Sequence, residues 1–119
     1  MARILLAEDD ESMRKFLAKA LENAGHEVVS YGNGVEAHKK LGNDVFDILL
    51  TDIVMPEMDG IELARRAAEL DPTMKIMFIT GFAAVALSPE SAAPKDAKVL
   101  SKPFHLRDLV AEVERMMAA

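Results

Sequence analysis

Short, almost unbroken apolar runs alternate along this chain with stretches whose apolar residues recur every three or four positions. That alternation confines the fold to repeated βα units around a parallel sheet. Arg3 to Ala7, Val45 to Thr51 and Lys75 to Thr80 are nearly continuous apolar segments, the pattern of central parallel strands covered on both faces. His26 to Tyr31 and Lys98 to Ser101 are more mixed and are predicted at the sheet edges. Between them, Met13, Phe16, Leu17, Ala20, Leu21 and Ala24 define one apolar helical face, which Gly25 stops. Ile61, Ala64, Ala68 and Leu70 make a shorter face ending at Asp71-Pro72, and Leu106, Leu109, Val110, Val113 and Met117 repeat the pattern. A weaker helix follows Asn33-Gly34. The interval from Phe82 to Lys95 contains Pro89 and Pro94, so a short or frayed helix is predicted there. Right-handed crossovers then give a five-stranded α/β sheet with helices on both faces.

Neither a repeat nor a linker interrupts this rhythm, and 119 residues suit one domain over positions 1–119. With no cysteine, disulfides, thiolate catalysis, iron–sulfur clusters and the usual structural zinc sites are excluded. The net charge of -6 disfavours binding to nucleic acid or an anionic membrane. No apolar run approaches the ~20 residues that span a bilayer, and the N-terminus lacks the pattern of a signal peptide, so a cytoplasmic location is expected. His26, His38 and His105 share no metal-ligand spacing and are expected to be surface or packing residues.

In an open parallel sheet, ligands bind beyond the carboxyl ends of the strands, near the point where strand order reverses. Here those ends carry Glu8-Asp9-Asp10-Glu11, Thr51-Asp52, Thr80-Gly81 and Ser101-Lys102-Pro103. Singly, each has an ordinary structural reading: a solvated turn or helix start, a β-forming threonine, a loop. Gathered at one end of a sheet they are costly, because two carboxylates ~4 Å apart repel by about 4 kcal/mol at an effective dielectric near 20. A bound cation offsets that cost. Oxygen donors without histidine or cysteine suit a hard ion, and Mg²⁺ is the expected one. An aspartate so placed can attack a phosphoryl group and become an aspartyl phosphate, with metal and lysine neutralising the transferring oxygens.

Asp9-Asp10, the run Asp52-Ile53-Val54-Met55-Pro56-Glu57-Met58-Asp59-Gly60, Thr80-Gly81 and Lys102-Pro103-Phe104, in that order, resemble the receiver domain of bacterial two-component response regulators over essentially the whole chain. The resemblance implies a flavodoxin-like (βα)5 fold and a parallel sheet of order 2-1-3-4-5, and since nothing follows the last helix, no output domain is expected. It implies Asp52 as phosphoacceptor, Asp9 and Asp10 as the acidic pair for Mg²⁺, and Val54 as a further ligand through its backbone carbonyl. Thr80 would contact the phosphoryl oxygens by its hydroxyl, Lys102 would reach the same oxygens, and Pro103 would follow a cis peptide bond. The implied donor is a histidine kinase or histidine phosphotransfer protein, and the implied output is a phosphorylation-dependent protein surface. The receiver would assist its own phosphoryl transfer and dephosphorylation without being an enzyme for small substrates. Thr51 to Pro56 and Ser101 to Phe104 are further similar to single-domain receivers of the CpdR type. That similarity implies control of regulated proteolysis, with the ClpXP protease or its substrates as partners.

One departure bears on the switch. Three residues before the lysine the family often has an aromatic that swings inward when the threonine moves, but this chain has Val99. Valine cannot report by an aromatic flip, so the coupling is expected in the segment from Phe82 to Pro94, directly after Thr80. The ending Ala118-Ala119 also resembles degradation tags read by unfolding proteases. Two rivals fit less well. An aspartate-dependent phosphohydrolase wants a second aspartate two residues after Asp52, where Val54 stands. A flavin carrier wants a glycine- or hydroxyl-rich phosphate cradle where this chain has Glu8-Asp9-Asp10-Glu11.

Overall fold

The computed structural model describes residues 1–81, 88 and 91–118. Strands β1 (Arg3–Ala7), β2 (Glu27–Tyr31), β3 (Ile48–Thr51), β4 (Lys75–Thr80) and β5 (Lys98–Ser101) form one sheet. Its order is β2-β1-β3-β4-β5, every pairing is parallel, and this is the order that the family resemblance implied. Among the described residues the helices are α1 (Glu11–Asn23), α2 (Gly34–Leu41), α3 (Gly60–Leu70) and α4 (Leu106–Ala118). None is long and apolar enough to cross a membrane. The short helix expected between Phe82 and Lys95 falls mostly outside the described residues, and residues 91–95 are not helical.

The alternation of side chains along a strand explains why the central strands read as unbroken apolar runs. Leu5, Ala7, Leu49 and Phe78 point to one face, where they pack with Ala37 and Leu41 of α2 and Leu63, Ala64 and Ala67 of α3. Ile4, Leu6, Ile48, Leu50, Met77 and Ile79 point to the other, against Leu17 and Leu21 of α1 and Leu109, Val113 and Met116 of α4. A strand buried on both faces has no polar side to display.

Three helices begin on side-chain caps: Asp10 accepts from the Met13 N–H, Asn33 from Glu36 and Asp59 from Glu62. Each such cap is worth about 1 kcal/mol. Asp10 and Asn33 follow closely on the ends of β1 and β2, so α1 and α2 start beside the rim of the sheet.

Three local expectations are corrected. β3 begins at Ile48, not Val45, because Arg3 holds the approach to it: its Nη1 donates to the Val45 carbonyl at 2.6 Å and its backbone N–H donates to Asp47 Oδ2 at 2.8 Å. Asp44 is drawn well below the usual carboxylate range by its hydrogen bond to that same guanidinium. Phe16 is not a core residue. It is 56% exposed, since Leu17 and Leu21 already fill the line of α1 that faces the sheet. At the C-terminus the buried methionine is Met116, three residues after Val113, while Met117 is exposed. His26 is a packing residue whose Nδ1 accepts from the Ala2 N–H at 3.0 Å.

The turn from β3 into α3 is fixed by a close backbone approach. The Gly60 N–H donates to the Ile53 carbonyl at 2.8 Å, and a Cβ on Gly60 would lie 1.8 Å from the Asp52 carbonyl oxygen. Glu57, at φ 69°, bends the loop so that the Met58 N–H meets the Pro56 carbonyl at 2.8 Å. Only glycine fits where α3 starts, so Gly60→Ala is expected to lower stability by ~1–3 kcal/mol. Urea unfolding measures this, and an unchanged midpoint would contradict the close packing of Gly60 on Asp52.

Candidate functional site

Because all five strands run the same way, their carboxyl ends collect on one rim, and the polar residues that end four of them meet there. Asp52 directly follows β3 and is 8% exposed. Its Oδ1 accepts from the Ile53 N–H at 2.7 Å, and its Oδ2 accepts from Lys102 Nζ at 2.8 Å. Glu8, directly after β1, is 1% exposed. Its Oε1 lies 3.3 Å from the same ammonium, and its Oε2 accepts from the Asp10 N–H at 3.1 Å. Asp9 is exposed at the mouth. One carboxylate oxygen from each of Glu8, Asp9 and Asp52 falls within 4.8 Å of the others.

Thr80 is fully buried at the end of β4, and its carbonyl accepts from the Lys102 N–H at 2.8 Å. The exit of β5 is thereby tied to the end of β4, which aims the lysine across the rim toward Asp52. The Lys102–Pro103 peptide is cis. Val54 stands two residues beyond Asp52, its side chain largely exposed.

The charges explain why this rim is unusual. Burial pushes the Glu8 carboxyl above its usual value, the negative charge of Asp52 adds to that shift, and the Asp10 N–H and Lys102 oppose it without cancelling it. For Lys102, burial alone would lower the pKa, but the bond to Asp52 and the charges of Glu8 and Asp52 outweigh it, and the net shift is upward. One ammonium thus serves two buried carboxylates, with a third beside them. Three acids against one base leave an excess of negative oxygen, the donor set that a hard divalent cation accepts.

The side chains brought together are only part of the expected set. Asp9, Asp52 and Lys102 meet on the rim next to the end of β4 at Thr80, whereas Asp10 turns its Oδ1 to the Met13 N–H at 2.9 Å and caps α1. A carboxylate held by the first turn of a helix is directed away from the pocket, and Glu8 takes its place in the acidic group. The sequence held a signal for this: an acid immediately before a helix start is a preferred cap, which leaves the two acids nearer the strand for the rim.

Comparison with known proteins agrees with this geometry. Residues 4–114 match the family model described as the response regulator receiver domain. The chain is 70% identical to the response regulator receiver protein CpdR of Brucella abortus, over 100% of this chain and 99% of that protein. Among solved structures, it resembles a response regulator receiver protein from Sinorhizobium medicae at 34% identity and a TM-score of 0.89, covering 98% and 94% of the two chains. It also resembles the response regulator TrrA of Thermotoga maritima, solved in complex with Mg²⁺–BeF, at 29% identity and a TM-score of 0.86, covering 98% and 99%. By its motifs, its strand order and these likenesses, the chain belongs to the family of response regulator receiver domains, the signalling modules of two-component systems.

Proposed function

We propose that Asp52 accepts a phosphoryl group from a phosphohistidine on a histidine kinase or histidine phosphotransfer protein, and that the acylphosphate alters a protein-binding surface. The observation that carries this reading is the 2.8 Å contact between Lys102 Nζ and Asp52 Oδ2 inside the acidic group. In the transfer, an Asp52 carboxylate oxygen forms a bond to phosphorus as the phosphorus–nitrogen bond of the donor breaks, and the imidazole leaves with that electron pair. Lys102 orients the carboxylate beforehand and then follows the charge onto the phosphoryl oxygens. Thr80, at the end of the neighbouring strand, offers its hydroxyl to the same oxygens. The Ile53 N–H fixes the other carboxylate oxygen, so the acceptor need not reorganise before attack.

Glu8, Asp9 and Asp52 fit Mg²⁺ by their all-oxygen chemistry and spacing, and the Val54 carbonyl would complete the protein's ligands. When bound, Mg²⁺ would neutralise charge on the transferring phosphoryl oxygens. Glu8 joins Asp9 in this place in Asp10's stead.

Phosphorylation replaces a carboxylate with a group of greater charge and more acceptor oxygens, which draws Lys102 and Thr80 toward it. Moving a two-state equilibrium from 1% to 99% active takes about 5.5 kcal/mol, beyond a single hydrogen bond, so several contacts must move together. With Val99 in β5, the response runs through the segment that follows Thr80 rather than through an aromatic flip. The likeness to CpdR supports an output in regulated proteolysis through a ClpXP-type protease or its substrates.

An apolar groove lined by Met13, Phe16, Pro103, Phe104 and Leu106 opens beside Lys102, with a volume of about 350 Å³. Its continuity with the lysine that holds Asp52 supports reading it as the surface on which the donor protein seats. Asp52→Asn is expected to abolish transfer of label from a phosphorylated donor protein; undiminished labelling would exclude Asp52 as acceptor. Phe16→Ala is expected to slow transfer from the protein donor about tenfold, the equivalent of ~1.4 kcal/mol, while leaving phosphorylation by acetyl phosphate unchanged. Equal slowing with both donors would count against a docking role for the groove.

A further inference from the structure

Arg14 lies in the first turn of α1 and reaches back to the backbone at the end of β1. Its Nη1 donates to the Glu8 carbonyl oxygen at 2.8 Å. A Cβ on Gly32 would lie 2.9 Å from that same nitrogen, so the guanidinium occupies the space that the glycine leaves open. The Glu8 N–H in turn donates to the Tyr31 carbonyl at 3.1 Å, one residue before Gly32. The backbone of Glu8 is therefore held at both ends: at its N–H by the last residue of β2, and at its carbonyl by Arg14, which rests against Gly32 just beyond that strand. No described carboxylate forms an ion pair with Arg14, although Glu11 feels its charge.

The bonded carbonyl belongs to the peptide that joins Glu8 to Asp9. Rotation of that peptide swings the backbone from which both side chains depart, so the clustering of two carboxylates depends on its orientation. We propose that Arg14, seated against Gly32, is a positioning residue that fixes the Glu8–Asp9 peptide and so holds those two carboxylates in the geometry that binds the cation. The proposal rests on the reading of Glu8, Asp9 and Asp52 as a Mg²⁺ site.

Charge and geometry make opposite predictions here, which makes the role testable. If Arg14 acted only as a nearby positive charge, its removal would tighten cation binding. As a positioning residue, its removal loosens it. Gly32→Ala separates the two further, because it leaves the guanidinium in the protein but takes away its seat.

The test is the Mg²⁺ dependence of urea unfolding, which yields a dissociation constant independent of the metal-free stability. Arg14→Met and Gly32→Ala are expected to weaken Mg²⁺ binding about tenfold, and Arg14→Lys to recover part of the loss. Labelling of Asp52 at saturating Mg²⁺ is expected to return to the wild-type rate in each. Wild-type binding with Arg14→Met equal or tighter would overturn the role of Arg14 while leaving the metal site standing. A wild-type protein indifferent to Mg²⁺ would overturn the metal reading and the proposal with it. Should Gly32→Ala fail to fold, Arg14→Met decides the matter, since it adds no atom to the crowded turn.

Discussion

A single ammonium shared by two buried carboxylates holds this rim in place. Lys102 lies 2.8 Å from Asp52 and 3.3 Å from Glu8, and neither acid has ready access to water. Without the lysine, two negative groups would sit desolvated beside each other at the ends of β1 and β3, a cost that hydrogen bonds from Ile53 and Asp10 reduce without removing. With it, the compensation is partial, because Asp9 adds a third carboxylate. The fold thus keeps a deficit of positive charge at one end. That deficit favours a visiting cation, and it costs stability while the cation is absent.

The sheet makes the deficit possible. Two apolar layers, one built with α2 and α3 and one with α1 and α4, anchor the central strands independently of what happens at their ends. Rigid strands feeding short, capped turns bring distant parts of the chain to one place, and Asp52 meets Lys102 across 50 positions of sequence. The Gly60 approach to the Asp52 carbonyl shows the same economy: the loop that follows Asp52 is braced by its own backbone, leaving side chains free of that task.

Much of this was legible in the sequence. Unbroken apolar runs gave the central strands because burial on both faces leaves no alternation to read, and the strand ends put Asp52, Thr80 and Lys102 on one rim, while the roles expected of them came from the family resemblance. What escaped was the division of labour among neighbours. Glu8, Asp9 and Asp10 are all acids in a row, and which of them turns inward depends on the helix start, where Asp10 is taken as a cap. Phe16 fits the helical period as well as Leu17 does, yet the width of the packed stripe excludes it. Met116 and Met117 differ by one step of the helix, within the tolerance of any periodic pattern. The interaction of Arg3 with the segment before β3 is long-range and left no local trace. The segment from Phe82 to Pro94, expected to couple Thr80 to the output, lies largely outside the described residues.

The central claim is that the rim lacks positive charge until a cation occupies it, and that the cation in turn makes room for the charge of a phosphoryl group. Unfolding free energy measured with Mg²⁺ alone, with beryllofluoride alone and with both tests it most directly, since beryllofluoride mimics the phosphoryl group on an aspartate. Cooperative occupancy predicts that the two together stabilise the fold by more than the sum of their separate effects, and that neutralising Asp52 as asparagine removes the excess. Strictly additive shifts, or none, would contradict it.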